Sequence, residues 1–264
     1  MKILALCGGR GLIDPELRRR IPKGMIRIGD RPIIWHILNT FASYGHREFV
    51  LALGEGGQEI RDFFMQYGKG WRDVRLNLAD GACEFLDVSD REDWGVNLVN
   101  TGNEALTGSR LARCRRYVED APFMVTYSDC LSNVNLTALR QFHQAHGKVA
   151  TITGVQPPSR FGTFFLADGQ VTGYTLDTHL VGKGGYINGG FMMFEPRIFD
   201  YVDPFSECSL EVEVFQKLVQ DGQVAIFPHN GYWQPVDTER DMQLLNNLYE
   251  QNQRPWLPEP SQLK

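Results

Sequence analysis

Short apolar runs rich in β-branched and aromatic residues alternate with amphipathic stretches through the first half of this chain, and this alternation constrains the fold most. Strand-like runs fall at Lys2–Cys7, Glu48–Leu53, Val96–Thr101 and Phe123–Tyr127. Helical spacing lies between them, near Pro32–Tyr44, Gly57–Tyr67, Ser109–Val118 and Leu136–His146. Pro32 ahead of Ile33, Ile34, Ile37 and Leu38 suits the first turn of a helix. Alternation of this kind predicts βαβ units on a mostly parallel sheet. The second half is richer in strands, at Val149–Gly154, Gly162–Ala167, Gln170–Leu176 and Tyr186–Phe194, with Ala167-Asp168-Gly169 closing a hairpin. A helix over Leu210–Gln220, a strand at Gln223–Phe227 and a helix from Thr238 to Gln251 follow. The tail Arg254–Lys264 holds three prolines and predicts an extended surface segment. With no repeat and no linker, 264 residues read as one large α/β domain.

A formal charge of −5 argues against a dedicated nucleic-acid binder, which carries a basic face. No apolar run approaches the ~20 residues of a membrane span. The apolar start breaks at Gly8-Gly9, so it reads as a first strand and not as a signal peptide. Five scattered cysteines without metal-ligand spacing, and no secretion signal, suggest reduced thiols and a cytoplasmic enzyme. Cys130 follows an interesting aspartate but reads as a buried structural thiol.

Gly8-Gly9-Arg10-Gly11 sits directly behind the first strand. Ligands of open α/β sheets gather at the carboxyl ends of strands, and glycines there let backbone N–H groups approach a phosphate. A ligand-free flexible turn has the same composition. A dinucleotide fingerprint is excluded because its third glycine position is Asp14 and the next helix starts only near Pro32. A P-loop is excluded because no Gly-Lys-Ser/Thr closes the loop. What remains is a long loop, from Gly8 to about Ile28. Between Arg10 and Arg27 it carries six basic residues (Arg10, Arg18, Arg19, Arg20, Lys23, Arg27) against Asp14 and Glu16. In an acidic chain that is either a solvated charged loop or a local patch suited to a triphosphate.

The end of this loop, Pro22-Lys23-Gly24-Met25 and then Ile28-Gly29-Asp30-Arg31-Pro32-Ile33-Ile34-Trp35-His36, resembles the start of glucose-1-phosphate cytidylyltransferases, which are sugar-phosphate nucleotidyltransferases. The resemblance continues through Leu98–Gly102, Thr107–Leu111, Thr126–Asp129, Phe142–Lys148, Pro157–Gly162, Ile187–Phe191 and Trp233–Thr238, nearly the whole chain. It implies a Rossmann-like α/β sandwich on a mixed, mostly parallel central sheet with helices on both faces, often in a homo-oligomer. Residues 1–148 would form a nucleotide-binding half, 149–237 an acceptor-binding half, and 238–264 a C-terminal helix and tail. The implied reaction joins CTP and a sugar 1-phosphate and releases pyrophosphate, with Mg²⁺ as cofactor and with neither nucleic acid nor membrane as partner.

Residue by residue, Lys23 matches the family's catalytic lysine, and Asp129 and Asp237 match its metal-binding aspartates. By position alone Asp129 is a turn residue beyond a strand and Asp237 a neighbour of a helix N-cap. The resemblance places Leu6, Gly8, Gly9, Arg10, Gly11, Lys23, Glu104, Ser109, Arg110 and Ser128 around the nucleotide, with Arg110 where the family reads cytosine. It places Asn188, Gly189 and Lys183 around the acceptor, although Asn188 also suits a buried hydrogen-bonding role.

Three departures stand out. The family's first loop usually reads Gly-Gly-x-Gly-Thr-Arg, whereas Gly11 is followed by Leu12 and Ile13. Its Glu-Lys-Pro before the Asn-Gly-Gly strand is replaced by Leu176-Asp177-Thr178, a charge reversal costing phosphate binding roughly a few kcal/mol unless Lys183 reaches in. Glu104 adds a negative charge where the family has a small polar residue. These changes point to altered acceptor specificity, so another phosphorylated sugar, a polyol phosphate or a non-sugar phosphate competes with glucose 1-phosphate. A non-catalytic CTP-binding paralogue is a further alternative. A glycosyltransferase would carry an Asp-x-Asp pair, which Asp129-Cys130-Leu131 lacks.

Overall fold

The computed structural model describes residues 1–9, 11–14, 19–67, 73–85, 92–156, 163–167, 169–175, 185–203 and 206–263. Arg10, Arg18, Asp168, Lys183, residues 157–162 and the Leu176-Asp177-Thr178 stretch lie outside the described residues.

Among the described residues, ten strands build the main sheet. In chain order they are β1 (Lys2–Cys7), β2 (Glu48–Leu53), β3 (Gly95–Asn100), β4 (Phe123–Tyr127) and β5 (Ala150–Val155). Then come β6 (Thr163–Ala167), β7 (Gln170–Thr175), β8 (Tyr186–Asn188), β9 (Met192–Phe194) and β10 (Val224–Pro228). The order across the sheet is β7-β6-β8-β5-β9-β4-β1-β2-β3, with β10 paired to β5. Strands β4, β1, β2 and β3 run parallel, in the registers Leu6↔Tyr127, Cys7↔Leu53 and Leu53↔Asn100. Strand β9 pairs antiparallel with β4 and β5, and β10 runs parallel to β5, so the sheet is mixed around a parallel centre.

Alternation within each strand feeds two cores. Ile3, Ala5, Phe49, Leu51 and Met124 face one side, where they meet α1 (Ile33–Ser43), α2 (Gly57–Met65), α4 (Leu136–His146) and α6 (Glu239–Glu250). Leu4, Leu6, Val50, Val125 and Phe194 face the other, against α3 (Thr107–Arg113) and α5 (Phe215–Gln220). Burying such side chains contributes about 1.5–3 kcal/mol each, and period-2 patterning is what divides them between the faces. The helices start where expected. Pro32 precedes α1, Asn135 caps α4 by accepting from the Ala138 N–H at 2.9 Å, and Thr238 with Asp241 forms a capping box on α6.

Three expectations need correction. The Tyr186–Phe194 run is two strands, because Gly190 and Phe191 adopt φ of 75° and 38° and break the extended backbone. The loop from Gly8 to Ile28 contains an antiparallel pair, Leu12–Asp14 with Arg19–Ile21, and a 3₁₀ turn at Lys23–Met25. The tail is not merely a surface strand. Trp256 is fully buried in the first core, and Pro260–Leu263 forms a 3₁₀ turn from which Gln262 Oε1 accepts the Tyr44 hydroxyl at 2.8 Å. The large apolar area of the indole favours this docking, and the prolines on either side do not oppose it. No described helix is long and apolar enough to cross a membrane.

Candidate active site

The parallel strands all end on one edge, and the side chain that gathers those ends is Arg110. It is 3% exposed. Its Nη1 donates to the Leu53 carbonyl at 3.2 Å, the Thr101 hydroxyl at 2.7 Å and the Gly102 carbonyl at 2.8 Å. Its Nη2 donates to the carbonyls of Gly8 at 3.2 Å and Asn103 at 3.1 Å. A Cβ on Gly8 would lie 1.9 Å from the Arg110 Cζ, and one on Gly54 would lie 2.3 Å from Nη1. Only glycine permits such close backbone approach. Arg110 therefore locks the loop after β1 to the loops after β2 and β3. Both terminal nitrogens are committed to these partners, so it shapes this end of the site through the peptide groups it holds.

At the other end stands Lys23, on the 3₁₀ turn after Pro22. Its ammonium donates to Asp129 Oδ2 at 2.9 Å and Asp237 Oδ1 at 2.6 Å, across 106 and 214 residues of chain. The carboxylates converge for a topological reason. Cys130–Ser132 pairs antiparallel with Trp233–Pro235, with Cys130 opposite Pro235, and the Val236 N–H donates to the Asp129 carbonyl at 2.8 Å. Asp129 just before one strand and Asp237 just after the other are thus brought side by side. Partial burial by itself lowers the Lys23 pKa, but the Asp129 charge and the hydrogen bonds to both carboxylates outweigh it and raise the pKa above its ordinary value. Asp129, Asp237 and Lys23 side chains are each about a quarter exposed, open to a ligand yet only partly screened.

Two carboxylate oxygens within reach of one nitrogen form a hard-donor pair. Mg²⁺ takes one or two protein carboxylates plus phosphate and water oxygens, so Asp129 and Asp237 fit it. Among the described residues there is no cluster of three or more His, Cys, Asp or Glu of the kind an all-protein metal cage needs.

A cavity of about 290 Å³ joins the two ends. Of the residues anticipated from the sequence, Leu6, Gly8, Gly9, Lys23, Arg110, Ser128 and Asp129 line it. Gly11 does not; a Cβ there would collide with the Ile21 carbonyl oxygen at 1.7 Å, and its own carbonyl accepts from Arg20. Glu104 is exposed on the loop before α3 and does not line the cavity, although its neighbours Ala105 and Leu106 do. Ser109 is buried, accepting the Cys208 N–H at 2.8 Å, and serves as a latch between α3 and the segment after β9. Asn188 donates from Nδ2 to the Tyr127 hydroxyl at 2.8 Å, and the Gly189 carbonyl accepts from Trp233 Nε1 at 2.8 Å. Arg10 and Lys183 fall outside the described residues.

Six lining residues were missed, among them Thr107, Tyr127, Ser209 and Glu211. Tyr127 was findable as the strand residue two before Asp129. Glu211 was hidden inside a helical pattern, since its role depends on a partner helix distant in sequence. Cys130 is buried, and burial together with the neighbouring Asp129 charge raises its thiol pKa far above the ordinary value, as fits an inert core thiol.

A glycine loop and a lysine–aspartate cluster at the carboxyl edge of a parallel sheet define a nucleotide-handling α/β transferase. The Nucleotidyl transferase family model matches residues 2–252, and the chain belongs to that family. It is similar to the "Probable glucose-1-phosphate cytidylyltransferase" of Bacillus subtilis (strain 168), with 35% identity over 97% of this chain and 99% of that relative. It is also similar to the "Glucose-1-phosphate cytidylyltransferase" of Salmonella typhimurium, with 37% identity over 97% and 98% of the two chains. Its fold matches a solved putative glucose-1-phosphate thymidylyltransferase from Bacillus anthracis at a TM-score of 0.73, with 14% identity over 94% of each chain. Within the nucleotidyltransferases, the protein falls in the glucose-1-phosphate cytidylyltransferase family.

Proposed function

We propose that this protein transfers a cytidylyl group from CTP to a sugar 1-phosphate, glucose 1-phosphate by default, with Mg²⁺ as cofactor and pyrophosphate as the second product. The convergence of Lys23, Asp129 and Asp237 beside the glycine loop carries this reading. An oxygen of the acceptor phosphate forms the bond to the α-phosphorus while the bond from that phosphorus to the bridging β-phosphate oxygen breaks. The nucleophile is already anionic, so no protein nucleophile and no proton transfer are required. Catalysis then consists of alignment and charge neutralisation.

Gly8 and Gly9 present backbone N–H groups toward the phosphates, with Gly8 held in place by Arg110. Arg110 also fixes the peptide groups of Gly102 and Asn103, and these are suited to hydrogen-bond a cytosine edge. Lys23 offsets the charge that two anions bring together. Asp129 and Asp237 would hold Mg²⁺, which supplies further neutralisation and orients phosphate oxygens when bound. Asn188 and Gly189 stand on the acceptor side. Four described cysteines, Cys7, Cys114, Cys130 and Cys208, are buried free thiols, which supports a reducing, cytoplasmic setting. The family resemblance supports a homo-oligomer, testable by sedimentation.

Incubation with CTP, Mg²⁺ and a panel of phosphates, followed by pyrophosphate measurement, tests the proposal. Turnover with glucose 1-phosphate supports the default acceptor. Turnover only with other phosphates favours the second reading, which the Leu176-Asp177-Thr178 replacement motivates. Calorimetric binding of CTP without pyrophosphate release from any acceptor defeats the assignment as a transferase.

A further inference from the structure

One wall of the cavity is a carboxylate with no part in the phosphate chemistry. Glu211 lies in a π-helical turn, Leu210–Val214, that precedes α5. Widened turns of this kind recur at functional sites. Its Oε2 accepts the Thr107 hydroxyl at 2.5 Å and the Ser209 hydroxyl at 2.7 Å, and its Oε1 accepts the Tyr127 hydroxyl.

Each of these hydroxyls is polarised toward the carboxylate by a donor behind it. Thr107 accepts the Leu210 N–H, Ser209 accepts the N–H groups of Glu211 and Val212, and Tyr127 accepts Asn188 Nδ2. Burial, then the Glu211 charge, push the Tyr127 pKa well above its ordinary value, so it stays a donor. A carboxylate offers about four acceptor positions, and among the described residues three are taken, two on Oε2 and one on Oε1. The remaining position belongs to a carboxylate that lines the same cavity as Lys23 and Asp129.

A fixed negative charge repels a phosphate and demands a hydroxyl or amine donor in its place. The two ends of the cavity therefore select opposite features, with anionic oxygens at Lys23 and hydrogen-bond donors at Glu211. The Asn188–Tyr127–Glu211 chain connects this carboxylate to the strand assigned to the acceptor. We infer that Glu211 is the specificity-determining residue for a polyhydroxylated acceptor, a sugar or polyol phosphate, binding one of its hydroxyls and excluding phosphates that carry no hydroxyl donor. The inference rests on the cytidylyl-transfer reading above and narrows its acceptor class.

The test is Glu211→Gln together with a series of monodeoxy analogues of the best hydroxylated acceptor. Glutamine keeps the size but removes the charge and turns donors toward donors. A hydrogen bond to a charged group supports an expected rise of about 10-fold to 100-fold in acceptor KM. The calorimetric Kd for CTP, measured without acceptor, should stay within about 2-fold. One deoxy analogue should lose a similar factor with the wild-type enzyme and almost nothing further with Glu211→Gln, since one contact cannot be lost twice. An equal penalty in both enzymes for every deoxy analogue overturns the proposal, as does a variant whose CTP affinity and nucleotide preference change while acceptor KM does not. Wild-type turnover confined to acceptors without hydroxyls overturns it while leaving cytidylyl transfer standing. No pyrophosphate release from any acceptor removes the transferase reading and this proposal with it.

Discussion

Lys23→Met isolates what the ammonium does for the two carboxylates. Asp129 Oδ2 and Asp237 Oδ1 lie 2.9 and 2.6 Å from Nζ, so each pair attracts by about 6 kcal/mol at an effective dielectric of 20. Mutual repulsion of the carboxylates and desolvation offset most of this. Removing one partner of a buried pair costs about 3–5 kcal/mol. Discounted for side chains about a quarter exposed, the expected loss is about 2–3 kcal/mol. At about 2–4 °C per kcal/mol for chains of this size, thermal unfolding should move down by about 5–10 °C. The raised Lys23 pKa sets the pH window. A group whose folded pKa exceeds its unfolded value stabilises fully below the unfolded value, and that contribution is lost as pH climbs through the folded one. The wild type and Lys23→Met curves should therefore stay apart at neutral pH and approach each other only above the ordinary lysine range. Loss of a charge-stabilising donor should also lower the rate of pyrophosphate release by about 10²–10³. Circular-dichroism melts and a coupled pyrophosphate assay read both effects. A Lys23→Met protein that melts with the wild type and keeps turnover within about tenfold would falsify the reasoning.

Asp129→Ala and Asp237→Ala should each lower turnover by at least about 10³ while far-ultraviolet dichroism stays native, because neither side chain belongs to a core. A tenfold effect or less in either variant removes that residue from the reaction. Gly8→Ala places a Cβ 1.9 Å from the Arg110 Cζ, so the guanidinium must leave its carbonyls; calorimetry should show CTP binding weakened by about 10-fold or more, and the melting temperature should fall by at least about 5 °C because a buried charge loses its partners. His46 has its pKa pulled down to about 4 by burial first, then by the terminal ammonium, Arg140 and Arg47. The unfolded side chain binds protons near 6.5, so stability is full above that value and falls as pH drops through 4. Melting temperature should decline across that interval, and more shallowly in His46→Gln.

Local patterning was enough to locate much of the scaffold. The expected bounds of β1, β2, β4 and α4 coincide with those observed. Where backbone conformation departs from the periodic rule, pattern fails: the strand expected through Tyr186–Phe194 breaks at Gly190 and Phe191, and the Gly189-Gly190 pair inside the apolar run was the one local signal of that break. Trp256 was misplaced for a different reason, since tail composition says nothing about which distant core has room for an indole.

The residues alone determined the family and pointed to candidate reacting groups, because a glycine loop, a lysine and two aspartates in that order are matched locally, segment by segment. Only the tertiary structure decided how those groups act on one another. It made Arg110 a buttress for three loops, and it brought Asp129 beside Asp237 through a two-strand ladder. It also turned Glu211 into a cavity wall. Each of these depends on distances between elements up to 214 residues apart in sequence, set by packing and strand register, which no local pattern encodes.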